Sequence, residues 1–142
     1  KGEEEIKQYL DKNSADPNAL FFLGVIESKK KRPERALSIF QDIEAAYSPN
    51  YSKLLFDFHN LYYRMSVEEI KLGLLNKADE HIKKSLAIKA SPAYVTVLSE
   101  VYLRKGQKEK SLQILKKGLE QFPENKLLKS LILNRNNQRK GK

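Results

Sequence analysis

The sequence predicts an all-α fold of short antiparallel helix pairs stacked side by side as an α-α superhelix. Three observations predict it: apolar residues recur at helical spacing, helix-starting residues punctuate the chain at short intervals, and the pattern repeats internally. Leu20, Leu23 and Ile26, then Leu37, Phe40 and Ile43, step by threes. Tyr51, Leu54, Leu55, Phe58, Leu61, Tyr62 and Met65 form a longer run of threes and fours, and Leu112, Leu115 and Leu119 continue it. Such spacing gathers apolar groups on one helix face, and no comparable stretch alternates as a strand would.

The punctuation divides this pattern into elements. Asp16-Pro17, Ser48-Pro49 and Ser91-Pro92 each read as a capping residue followed by proline at the first helical position. There the missing N–H is not needed and the fixed φ suits the helix. Pro33 plays the same part after the basic run Lys29–Arg32. Asn76 with Asp79 reads as a capping box, and Gly106 as a helix terminator. Helices are therefore expected near 3–13, 17–31, 33–47, 50–73, 76–89, 92–105, 107–121 and 124–134. Connections this short force neighbouring helices to be antiparallel.

Composition bounds the function. The 142 residues suit one domain. There is no cysteine, so disulfides, thiolate metal sites and thiol nucleophiles are excluded. No run approaches the roughly 18 apolar residues of a membrane span. No signal peptide is visible where the chain opens on Lys1-Gly2-Glu3-Glu4-Glu5, and the missing start methionine leaves room for a signal or anchor upstream in a longer parent. A composition rich in Lys, Asn and Ile fits a bacterial cytoplasmic or envelope protein. The net charge of +9 could attract nucleic acid, anionic lipid or an acidic protein. Much of it lies at the expected turn Lys29–Arg32 and in the tail Arg135, Arg139, Lys140 and Lys142, both read as solvated ends.

Leu23-Gly24 followed by Ala36 and Phe40, and then Pro92, Val95, Leu98, Tyr102, Gly106, Ser111, Leu115 and Pro123, follow the pattern W-x2-L-G-x2-Y…A-x3-F…P. Ala78 with Ile82 supplies the second helix of a middle copy. On these residues the chain resembles the tetratricopeptide repeat (TPR) family, whose right-handed superhelix stacks helix pairs side by side. The resemblance divides the chain into a partial preceding helix (1–16), repeats at 17–51, 52–91 and 92–125, a capping helix (124–134) and a basic tail (135–142). The anchors Ala36, Ala78 and Ser111 are unevenly spaced, and the extra length is expected in a first helix of the middle repeat lengthened by about two turns. Glu27 replaces the family tyrosine, and the tryptophan is absent throughout.

The resemblance implies a non-catalytic scaffold whose first helices line a concave groove for a peptide or helix of a partner protein. Carried over by position, the groove is expected to present Phe21, Phe22, Val25 and Lys29 from the first repeat. Asn60, Tyr63 and Arg64 come from the second, and Thr96, Glu100 and Arg104 from the third; Asn18, Ser28, Ala93, Val97 and Leu103 join them. The two-carboxylate clamp of some family members is not expected, because Phe21, Val25, Ala93 and Val97 occupy four of its positions. A core role for Phe21 or Phe22 is the alternative reading, since both adjoin Leu20 and Leu23.

No catalytic, cofactor or metal constellation is visible. His59 and His81 lack partners at ligand spacing, and glycines are isolated. His59 is expected packed or at the groove edge and His81 solvated, as is the pair Glu68-Glu69. Two other readings compete with the scaffold. An RNA-binding repeat would stack bases on Tyr62, Tyr63 and Tyr102 and meet phosphate with Lys53, Lys71 and Arg104. Against it, the charge clusters at turns and not along the groove. The other is a self-associating assembly module, monomeric or dimeric, that stacks through the leading helix.

Overall fold

The computed structural model describes residues 2–12 and 16–140. They form eight helices and, among the described residues, no strand. These are α1 (Gly2–Lys12), α2 (Pro17–Lys29), α3 (Pro33–Ala46), α4 (Phe58–Lys71), α5 (Leu75–Ile88), α6 (Pro92–Arg104), α7 (Lys108–Gln121) and α8 (Lys126–Lys140). Helices α2 and α3, α4 and α5, and α6 and α7 form three antiparallel pairs, stacked in chain order into a superhelix, with α1 and α8 packed on α2 and α7.

The repeat is written most clearly in the backbone. Each pair turns on one residue of positive φ: Lys31 (62°), Gly73 (75°) and Gly106 (80°). Around each, the same two hydrogen bonds close the helix. Arg32, Leu74 and Gln107 N–H donate to the carbonyls of Glu27, Glu69 and Tyr102, and residues 31, 73 and 106 donate to Ser28, Ile70 and Leu103. This is the Schellman motif made three times. The second helices of the first two pairs end alike as well, on extended Tyr47 and Lys89.

Small residues let the paired helices approach. A Cβ built on Gly24 would lie 2.4 Å from the Phe40 ring, and one on Gly118 would lie 2.7 Å from Val95. Ala36 and Ala78 are fully buried. Asp16 caps α2 as expected, its Oδ1 accepting from the N–H groups of Asn18 (2.8 Å) and Ala19 (3.2 Å). Pro33 and Pro92 begin α3 and α6.

Several expectations are corrected. The first helix of the middle pair is not lengthened: α4 starts at Phe58, and residues 47–57 form an irregular strap. The physical reason is competition from tertiary partners. Asn18 donates through Nδ2 to the Lys53 carbonyl (2.9 Å) and accepts from the Leu55 N–H (2.7 Å), taking backbone groups a helix would use. Phe56 then stacks flat on Phe21, 4.3 Å between centroids. Ser48-Pro49 therefore opens the strap, not a helix. Asn76 is no cap either; it falls inside α5, and Asp79 instead pairs with Lys83 (2.7 Å) and Lys105 (3.1 Å). The closing helix α8 runs on to Lys140, through most of the expected tail, and buries Arg135. Lys142 lies outside the described residues.

Candidate interaction surface

The first helices α2, α4 and α6 line one side of the stack. Helices α4 and α6 approach each other directly, whereas the second helices make no comparably close approach, so the first helices form the inner wall. Beneath them lies an aromatic floor in the first two pairs, with Phe21, Phe40, Phe58, Leu61 and Met65 buried together. Farther along, Val95, Leu115 and Leu128 form an aliphatic one.

The expected groove residues divide over this wall. Phe21 is not a surface residue: it is 7% exposed, enclosed by Phe40 (5.9 Å) and Phe56. Val25 packs, half-buried, against the same cluster. Phe22 is 53% exposed but faces another depression, shared with α1 and the strap. Lys29 is exposed at the end of α2. On α4, Asn60, Tyr63 and Arg64 are all half-buried. Tyr63 leans on Tyr94 at 5.0 Å, and the Arg64 guanidinium lies over the Phe21 ring at 5.8 Å. Arg64 Nε is buried and has no hydrogen-bond acceptor. On α6, Thr96 bonds back to the Pro92 carbonyl (2.9 Å), and Arg104 pairs with Glu100 at 2.7 Å. The structure thus brings Tyr63 and Arg64 together at the centre, and sets Phe22 apart.

Sequence reasoning missed three features of the wall. Arg135 of α8 reaches Glu100 (3.7 Å) and donates from Nε to Ser111 Oγ (3.3 Å), which is bonded to Ser99 Oγ (2.8 Å). Ser28 on α2 donates to the buried Glu68 on α4 (2.8 Å), bridging neighbouring first helices. Glu27, where the family has tyrosine, is buried and held by Arg32 (3.2 Å) and Arg35 (3.6 Å). Only a change of residue type at a core position signals such links in a sequence.

The histidines are structural. The expectation of a solvated His81 is corrected: it is 8% exposed, because its two nitrogens bridge Glu69 (2.8 Å) and Glu44 (3.0 Å) beneath the ring of Tyr62. Glu68 and Glu69, also expected in solvent, are buried for the same reason: each finds a partner on a neighbouring helix. Burial pushes the His81 pKa down, but the hydrogen bond and charge of Glu69, with Glu44 behind them, raise it overall. His59 is half-buried, with Nδ1 2.6 Å from Tyr94 Oη and Nε2 3.3 Å from Asp57. Among the described residues, no group of His, Cys, Asp or Glu is arranged to hold a metal, and no helix is long and apolar enough to cross a membrane.

Residues 93–125, the segment made of α6, α7 and the turn after them, match the family model described as tetratricopeptide repeat. That segment is a tetratricopeptide repeat, and the chain as a whole has the TPR fold. Its fold is shared by TPR-type solved structures at low sequence identity. One is MamA from Desulfovibrio magneticus RS-1, 18% identical, with a TM-score of 0.81 over 97% of this chain and 74% of that one. A thermophilic TPR protein of Thermus thermophilus is 22% identical, with a TM-score of 0.63 over 92% and 86%. A chain of the APC/C hetero-tetramer Cut9–Hcn1 is 18% identical, with a TM-score of 0.80 over 93% of this chain and 25% of that one. No protein of curated function matches in sequence. The TPR fold is that of a protein-interaction scaffold in general, and these likenesses carry the fold alone.

Proposed function

We propose that this chain binds a partner protein along the inner wall, with Arg64 as the anchor for an acidic group on an extended peptide or helix. The observation that carries the reading is the state of Arg64. Two other cations of the first helices are already engaged, Arg104 by Glu100 and Lys71 by Glu68 at 3.5 Å, and Lys29 lies out at the end of α2. Arg64 has only the Phe21 ring beneath it and a buried Nε with no acceptor. A buried donor left unpaired is costly, and a carboxylate arriving from solution would satisfy it. Tyr63 and Asn60 beside it supply apolar and amide surface at the same place.

RNA binding is the weaker reading, because the aromatic faces it would need are taken. Tyr62 lies against His81 and Phe58, Tyr63 against Tyr94, and Tyr102 under Lys83 and Lys110. Affinity capture with wild type, Tyr63→Ala/Arg64→Glu, and an outer-face control such as Lys116→Glu tests the proposal. A partner retained by wild type and control but lost by the double variant is the expected result. Capture unaffected by Arg64→Glu would refute it. RNA retained at low salt and released steeply as salt rises would favour the other reading.

A further inference from the structure

The positive charge of the chain is gathered on one edge of the stack. Antiparallel pairing puts the turns within pairs on one edge and the connections between pairs on the other. Contacts join neighbouring turns directly: Ser28 reaches Glu68 (2.8 Å), and Lys105 reaches Asp79 (3.1 Å). The three turns, residues 27–35, 69–77 and 102–110, hold eleven Lys and Arg against four Asp and Glu, and so seven of the nine net positive charges. Two of those four acids, Glu27 and Glu69, are buried. The three connections, residues 47–57, 89–91 and 122–125, hold two of each sign and are neutral.

The cations keep a register. Counted from the positive-φ residue of each turn, the position two before it is Lys29, Lys71 or Arg104, and the position four after it is Arg35, Lys77 or Lys110. All six are exposed. The first three end α2, α4 and α6, where the helix dipole favours a cation. The other three stand at the third residue of α3, α5 and α7, where the dipole and a capping box both favour an acid. Their contacts are slight: Arg35 is 3.6 Å from Glu27 with its side chain 64% exposed, and Lys110 lies 5.9 Å from the Tyr102 ring. Helix stability does not account for this second row, and an anionic partner does.

We infer that this edge docks on an anionic lipid surface, with the chain lying on the membrane and not crossing it. Shape and side-chain chemistry select this partner over nucleic acid. A row of turn tips is convex, so a duplex, convex as well, meets few of them at once, whereas a flat sheet of headgroups meets all three. Leu74, 38% exposed at the tip of the middle turn between Lys71 and Lys77, suits the acyl boundary and has no use against phosphodiesters. Tyr102, the one aromatic residue in the three turns, has Lys83 and Lys110 over its ring and offers no free face to a base. Each Lys or Arg brought near an anionic leaflet strengthens binding by about fivefold, so a row of them holds the edge without deep insertion. The contact leaves Arg64 and the centre of the inner wall open.

Flotation of the full chain with vesicles tests this, using phosphatidylcholine alone and phosphatidylcholine with about 30% phosphatidylserine. Wild type should float with the anionic vesicles only, and be released as salt rises from about 50 to 500 mM. Lys77→Glu/Lys110→Glu should lose at least about tenfold in affinity. Lys89→Glu/Lys116→Glu makes the same charge change on the other edge and the outer face, and should stay within about threefold of wild type. All four positions are exposed, and unchanged far-ultraviolet circular dichroism and melting confirm that the variants fold. A wild type that leaves anionic vesicles unbound at low salt would overturn the inference. Equal losses in the two variants would overturn it too, because binding would then follow net charge and not the edge. Duplex DNA held more tightly than the anionic vesicles, and lost in the same edge variant, would replace the lipid with nucleic acid.

Discussion

The first and last helix pairs solve one packing problem with different chemistry. In both, a glycine lets two helices touch: Gly24 against Phe40 in the first, Gly118 against Val95 in the last. The last pair is aliphatic, with Val95, Leu115 and Leu128 buried together and a small polar link, Ser99–Ser111–Arg135, tying it to α8. The first pair is aromatic, and part of its filling comes from outside the pair: Phe56 of the strap lies on Phe21, with Phe58 behind it at 6.1 Å. The last pair is the one that matches the repeat pattern on its own. The difference teaches that an irregular repeat can be completed by a connector, since any side chain of the right shape restores the packing.

Between the two lies His81, bridging α3, α4 and α5. Substitutions in each region probe this contrast. Phe40→Ala should have the largest effect, a loss of about 4 kcal/mol in urea denaturation, because the ring is fully buried against Gly24. Leu115→Ala in the last pair should cost about 3 kcal/mol. Equal losses would mean that the aromatic floor confers no extra stability.

Replacing His81 by Leu leaves Glu69 buried without its partner, at a cost of about 3 kcal/mol. The folded pKa of His81 is raised above its ordinary value. Its contribution is therefore full below the unfolded pKa of about 6.5 and is lost as pH rises through the folded value. Wild type should melt at higher temperature near pH 6 than at mildly alkaline pH, and the variant should lose that component. An identical pH profile in the variant would contradict the assignment.

Phe56→Ala should cost less, about 2 kcal/mol, since the side chain is only partly buried. Limited proteolysis should then cut within 48–55 faster, while the α6–α7 pair remains protected. The smallest effect has the opposite sign. Lys31 adopts a positive φ where the other two pairs use glycine, so Lys31→Gly should stabilise the chain by about 1 kcal/mol. Gly106→Ala should destabilise it by a similar amount, read from the shift in midpoint.

Much of the fold was legible in the sequence because the signals were local. Apolar spacing located most helices to within a few residues, and Asp16-Pro17, Pro33, Pro92 and Gly106 marked ends by their own backbone chemistry. The strap was misread because Tyr51, Leu54 and Leu55 happen to continue the helical spacing, and spacing says nothing of a competing partner such as Asn18. The candidate site was less legible. Position along a repeat placed Tyr63 and Arg64 at the centre of the wall, but it assigned Phe21 there too, without knowing that Phe56 would cover it.

By itself the amino-acid order determined that the chain is helical, that its helices pair, and roughly where each begins, because those properties follow from neighbours within about four residues. Tertiary structure alone decided which charges are hidden. Glu68, Glu69, His81 and Arg135 look like solvent-facing residues of polar helices and Glu27 like a misfit in an apolar one, and each is buried because its partner arrives from another turn or helix. A buried charge is tolerable only beside such a partner, and that proximity exists only after the pairs have stacked.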